Sequence, residues 1–195
     1  MLAQHAAGVA RDLKADVSIL DTEIQDLPLY SQDVERAGFP PSVLTVKAIL
    51  AEADALLIES PEYNGSVTPH LKNIIDWCSR PHQNGEPMAS VFKGRVAGIM
   101  SASAGRLGGL RGLGHLRDIL TSVGSTVAPT HVAVGASHDA FCDDGSLKSQ
   151  AHKDMIQACV TEVVEMSGMW ANRATHCEYA MSLRRAKTTA EYGEI

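Results

Sequence analysis

The chain reads as an α/β protein: a doubly wound parallel sheet covered by helices on both faces. Two observations carry that reading. Short apolar runs alternate along the chain with segments whose apolar residues recur at helical spacing. Two of those runs, Ala55-Leu56-Leu57-Ile58 and Val96-Ala97-Gly98-Ile99-Met100, end in small polar turns that restart as helices. A run that is apolar throughout is what a strand buried on both faces requires.

Taken in order, residues 2–14 predict a helix with Leu2, Ala6, Val9, Ala10 and Leu13 on one face. Asp16-Val17-Ser18-Ile19-Leu20-Asp21 alternates apolar and polar side chains and predicts a strand. Residues 23–31, around Leu27-Pro28-Leu29-Tyr30, read as loop. Pro40-Pro41 suits a first helical turn, and Val43, Leu44, Ala48 and Ile49 carry that helix to about residue 53. Residues 54–60 form a strand. Ser66 or Thr68 can cap the following helix, with Pro69 near its start, and it runs to about Ser79. Residues 80–93 read as loop, with Pro81, Asn84-Gly85 and Pro87. A strand over 95–101 leads to a helix over 110–123. A last strand over 126–134 is interrupted by Pro129. A loop over 136–145 precedes a helix over 147–166 that Gly168 should break. Residues 1–168 therefore read as one domain and residues 169–195, with Arg184-Arg185, as a polar C-terminal tail. The chain opens with a helix, whereas a doubly wound sheet normally opens with a strand that lies in its middle.

Composition narrows the function classes. At 195 residues and 45% apolar content, one globular domain is expected. A net charge of −6 argues against a nucleic-acid binder, which needs a basic face. Aromatics at 5% make base-stacking platforms improbable. No apolar run approaches the roughly 20 residues that cross a bilayer, and no signal-like N-terminus is visible. Cys78, Cys142, Cys159 and Cys177 have no C-x-x-C spacing and read as reduced thiols of a cytoplasmic protein.

The chemistry concentrates in the two turns. Helix-start amides have no partners inside their helix, so a strand–turn–helix junction can hold an anion or a polar ring edge. The first turn is Ser60-Pro61-Glu62-Tyr63-Asn64-Gly65-Ser66, followed by Leu71-Lys72-Asn73-Ile74-Ile75-Asp76-Trp77. The second is Ser101-Ala102-Ser103-Ala104-Gly105-Arg106-Leu107-Gly108-Gly109. Together, and with Asp54-Ala55-Leu56-Leu57 before the first, they closely resemble the NADPH-dependent FMN reductases over roughly residues 1–166. The resemblance implies a flavodoxin-like fold of strand order 2-1-3-4-5, with FMN at the carboxyl ends of the strands. It implies NADPH or NADH as cosubstrate and a flavin, quinone or azo compound as acceptor. It also implies a homodimer or homotetramer.

On this resemblance, the residues lining FMN are Pro61, Glu62, Tyr63, Asn64, Gly65 and Ser66 on one wall. Ser101, Ser103, Gly105, Arg106, Gly108 and Gly109 form the other. The glycines would leave room for close approach of the ring, and Tyr63 could pack near it. Arg106 could meet a nicotinamide-nucleotide phosphate or simply be solvated. No side chain is expected as nucleophile or acid–base catalyst, because the cofactor carries the hydride chemistry. The family opens with a strand and a Gly-Ser-x-Arg-like phosphate loop. No such segment precedes Leu2, so a domain lacking that central strand and loop, about 25 to 30 residues, is expected. A flavin-free remnant serving only as an oligomerisation or interaction module, through residues 69–79, is the alternative.

Other clusters read as structural. His131, His138 and Cys142 with Asp139, Asp143 and Asp144 match no common zinc spacing. Asp143-Asp144-Gly145 suits a turn before the last helix. His115 and Arg117 are expected on a solvated helix face, and Asp76 and Trp77 as helix-face or interface residues.

Overall fold

The computed structural model describes residues 1–20 and 26–170. Its elements are α1 (Leu2–Asp12), α2 (Gln32–Ala37), α3 (Pro41–Glu52), β1 (Ala55–Glu59), α4 (Pro69–Cys78), β2 (Val96–Ala102), α5 (Leu110–Ser122), β3 (Thr126–Val134) and α6 (Ser137–Ala140). A last helix, α7, covers residues 150–170. The strands form a parallel sheet in the order β1-β2-β3.

Side-chain alternation along each strand sorts the core onto two faces. Leu56, Ala97 and Ile99 point into a cluster with Val46 of α3, Ile74 and Ile75 of α4, and Leu113 and Leu116 of α5. Met100, Val132 and Val134 point the other way, against Leu2 and Ala6 of α1 and Ile156 and Val160 of α7. Helices therefore cover both faces, as expected of a doubly wound parallel sheet.

Several elements start where the chemistry of their first residues dictates. Thr68 Oγ1 accepts the Leu71 N–H at 3.3 Å and Pro69 occupies the first turn of α4. Pro41 opens α3. α2, absent from the sequence reading, is capped by Ser31 Oγ, which accepts the Val34 N–H at 3.2 Å. β3 survives Pro129 because its pairing with β2 shifts register between Ala97 and Ile99.

Three expectations are corrected. Residues 16–20 are not a strand. Alternation is a local signal, whereas a ladder needs a neighbour, and no strand from the described residues pairs with this segment. Its side chains still reach the core: Val17 packs with the α1–α7 cluster and Leu20 with the opposite one. The final helix begins at residue 150 rather than 147, and it passes through Gly168 to residue 170. One helical glycine costs about 1 kcal/mol, less than the packing of Ile156, Val160 and Val163 contributes. Within the expected loop over 136–145, Ser137–Ala140 forms one helical turn. The tail beyond residue 170 lies outside the described residues.

Candidate functional site

Both turns leave the carboxyl edge of the sheet, the first from β1 and the second from β2. Parallel pairing of adjacent strands brings them side by side. Ser60 ties the first turn down: its N–H donates to Met100 O at 3.0 Å, and its Oγ accepts the Thr68 N–H at 3.4 Å. Residues 63–66 close a tight hairpin, with Tyr63 N–H on Ser66 O at 2.9 Å and Ser66 N–H on Tyr63 O at 3.0 Å. Asn64 and Gly65 at its tip have φ of 51° and 79°. Two successive positive φ values define the type I′ geometry that Asn-Gly favours. Tyr63 is half-exposed beside it.

The second turn is held by Ser103 and by its glycines. Ser103 N–H donates to Val134 O at 3.1 Å, and Gly108 N–H to Gly105 O at 3.1 Å. Gly108 and Gly109 permit close approach of the chain to itself: a Cβ on Gly108 would lie 2.7 Å from Ala133 C, and one on Gly109 would lie 1.9 Å from Ser101 Oγ. Gly105 and Gly65 face open space. Ser101 is buried under Gly109, and its Oγ has no hydrogen-bond partner among the described residues. Arg106 is exposed.

The turns are joined directly. Glu62 N–H donates to Ser103 Oγ at 2.8 Å. Glu62 Oε2 accepts the N–H groups of Arg111 and Gly112 at the start of α5, each at 3.1 Å. One turn further along α5, His115 Nδ1 is 3.0 Å from Ser66 Oγ. The sequence pattern hides these ties, because the partners lie some 50 residues apart. One signal was available: α5 begins after Leu107-Gly108-Gly109, with no side chain able to cap it.

The amides of Asn64, Gly65, Ala104, Gly105 and Arg106 donate to no acceptor among the described residues. This set of unclaimed donors at one edge of the sheet, with the exposed Tyr63 in the first turn, suits the carbonyl- and nitrogen-rich edge of an isoalloxazine. The residues present therefore fit the ring of FMN.

Arg117 is half-buried rather than fully solvated: its guanidinium donates to Val127 O at 3.2 Å and Ala128 O at 3.0 Å, beside the Pro129 irregularity of β3. His115 is exposed but engaged with Ser66. Trp77 is buried, and its Nε1–H donates to Pro28 O at 2.8 Å. Asp76 pairs with Lys72 at 2.7 Å. The apolar residues of α4, namely Leu71, Ile74, Ile75 and Trp77, are consumed inside the chain rather than left as a docking face. Residues 142–146 form the expected turn, with Gly145 N–H on Cys142 O at 2.9 Å and Ser146 N–H on Asp144 Oδ1 at 2.9 Å.

Comparison with known proteins agrees with this geometry. The model of the NADPH-dependent FMN reductase family matches residues 1–139. An NAD(P)H-dependent FMN reductase of Pseudomonas aeruginosa is 37% identical over 160 residues, 80% of each chain. A quinone reductase of Escherichia coli is 42% identical over 106 residues, 53% of each. Among solved structures, the NAD(P)H:(acceptor) oxidoreductase FerB of Paracoccus denitrificans superposes with a TM-score of 0.71 at 27% identity, over 86% of this chain and 88% of that one. The fold is flavodoxin-like, and the chain belongs to the NADPH-dependent FMN reductase family.

Proposed function

We infer that the protein is an NAD(P)H-dependent reductase of quinones, flavins or similar small acceptors that works with FMN. The carrying observation is the pair of turns, 60–66 and 101–109, fastened together at the carboxyl edge with free backbone donors between their anchors. Relatives named as FMN, quinone and 2-hydroxy-1,4-benzoquinone reductases support the acceptor class.

When bound, FMN supplies the hydride chemistry, taking hydride from the nicotinamide and passing it to the acceptor. The chain's own task is to hold and orient. The amides of Asn64, Gly65, Gly105 and Arg106 are proposed to donate to the ring edge, with Tyr63 packing beside it. Pro61 and Ser66 shape the first wall. Ser101, Ser103, Gly108 and Gly109 shape the second by packing within the protein. Azo compounds belong to the same acceptor class. The exposed guanidinium of Arg106 is available to a nucleotide phosphate. No helix among the described residues is long and apolar enough to cross a membrane, and a cytoplasmic homodimer or homotetramer is proposed.

The test is direct. Purified protein titrated with FMN should quench flavin fluorescence and then oxidise NADPH in the presence of a benzoquinone. Neither quenching nor NADPH oxidation at saturating FMN is the outcome that rejects this function.

A further inference from the structure

Glu62 belongs to the first turn, yet its side chain serves α5. The first amides of a helix have no partner within it, and its dipole favours a negative charge there. α5 has Gly109 at its cap position and no capping side chain of its own. Glu62 Oε2 fills that role from about 50 residues away, at 3.1 Å from the N–H groups of both Arg111 and Gly112. The backbone N–H of the same residue holds Ser103 Oγ at 2.8 Å. Glu62 thus grips the second turn at both ends, Ser103 near its start and α5 just past its finish. The unclaimed amides of Ala104, Gly105 and Arg106 lie between those grips. Packing at the joint is close: a Cβ on Gly112 would stand 3.1 Å from Ser66 O and 3.5 Å from Glu62 Cβ.

We propose that Glu62 is a positioning residue: by capping α5 and holding Ser103, it fixes the spacing of the two turns and presets the amides between them for the flavin ring. A preset site has less ordering to do on binding, so loss of the carboxylate falls mainly on flavin affinity. This inference rests on the FMN reading above.

The experiment uses the full 195-residue chain, FMN as probe, and three readouts: FMN affinity by fluorescence quenching, kcat at saturating FMN with NADPH and a benzoquinone, and amide exchange across residues 104–112. If the unsubstituted protein does not bind FMN, the reading beneath the proposal fails, and the proposal with it. If it binds, Glu62→Ala should weaken FMN about tenfold or more, as loss of two charge-assisted hydrogen bonds allows. The loss in kcat should be smaller than the loss in affinity, and the Arg111 and Gly112 amides should exchange faster. Glu62→Gln keeps a carbonyl oxygen at the same reach and should recover most of the affinity. Glu62→Asp is one methylene shorter and should not. Unchanged affinity in Glu62→Ala, or Glu62→Gln no better than Glu62→Asp, overturns the proposal while leaving the FMN reading intact. Should Glu62→Ala not fold, the Gln and Asp variants decide.

Discussion

Gly109 lies directly over the hydroxyl of Ser101. A Cβ on Gly109 would stand 1.9 Å from Ser101 Oγ and 2.8 Å from Ser101 Cβ, and Gly109 also has a φ of +87°. Gly109→Ala therefore meets a clash and a left-handed backbone together, and should cost at least about 2 kcal/mol of stability. Trimming Ser101 to alanine as well would not rescue it, because the Cβ contact remains. Gly105→Ala is the control four residues away: it meets nothing within 4 Å, and should be neutral or stabilising by up to about 1 kcal/mol. Urea unfolding of the two variants measures the difference. Equal stabilities would mean that the second turn does not pack in this way.

At the opposite end of α4, a buried ion pair fastens the loop over residues 80–93. Lys47 Nζ lies 2.7 Å from Glu86 Oε1, with both side chains almost fully buried, and also donates to Arg80 O. Burial pushes the Glu86 carboxyl up, but hydrogen bonds from Lys47, Ser90 and the His82 N–H outweigh it and hold it down at about 2. The folded value lies below the ordinary 4.5. The stabilisation is therefore fully present above about pH 4.5 and is lost as pH falls toward 2. Urea unfolding from pH 7 to 3 should reveal that acid limb, and Glu86→Gln should flatten it. Lys47→Met should destabilise the fold at pH 7, by less than the roughly 3–5 kcal/mol of a wholly unpaired buried charge, because Glu86 loses its lysine but keeps its bonds from Ser90 and His82. An unaltered acid limb in Glu86→Gln would assign it to other carboxylates.

What was legible in the sequence was what short stretches of chain decide alone. Residues 55–58 were legible as a strand, although only Leu56 of the four is buried rather than the whole run, and Pro69 marked a helix start that Thr68, one of two candidate caps, secures. Both signals act within a few residues. The two turns were legible for the same reason. The misread parts depend on distant partners. Residues 16–20 alternate like a strand, but pairing is not a local property. Arg117 looks like a solvated helix residue until the Pro129 irregularity places three carbonyls within its reach. Lys47 is a polar residue on an otherwise apolar helix face, and Glu86, 39 residues on, is what makes its burial tolerable. The destination of the Glu62 carboxylate was hidden likewise, since only the packed sheet sets the first turn against α5.

The cysteines among the described residues divide by environment. Burial pushes the Cys78 thiol up to about 12. Burial, with Glu162 nearby, pushes Cys159 to about 11. Cys142 is exposed. Because the thiolate is the nucleophile, iodoacetamide at pH 8 should alkylate Cys142 in the native protein and spare Cys78 and Cys159, while all three react after denaturation. Peptide mass spectrometry reads the outcome directly. Native labelling of Cys78 at the rate of Cys142 would mean that the α4 core opens freely.

The Asn64-Gly65 tip separates strain from contact. A Cβ on Gly65 would meet nothing within 4 Å, so the left-handed φ of +79° is the whole penalty for Gly65→Ala. That penalty is about 1–2 kcal/mol. Where it appears depends on whether the hairpin keeps its shape. The reciprocal Tyr63–Ser66 bonds, the His115–Ser66 contact and the Glu62 clamp all hold it from outside the tip. The strained turn should therefore persist. Thermal or urea unfolding should register the full loss of stability. FMN affinity should fall by less than the fivefold or more, on the order of 1 kcal/mol, that the same energy would cost if taken from binding. Gly65→Asn should be milder in both readouts, because asparagine tolerates the left-handed region. A Gly65→Ala variant with undiminished stability but sharply weakened FMN binding would show that the tip relaxes, and that its amides need the type I′ geometry to meet the ring.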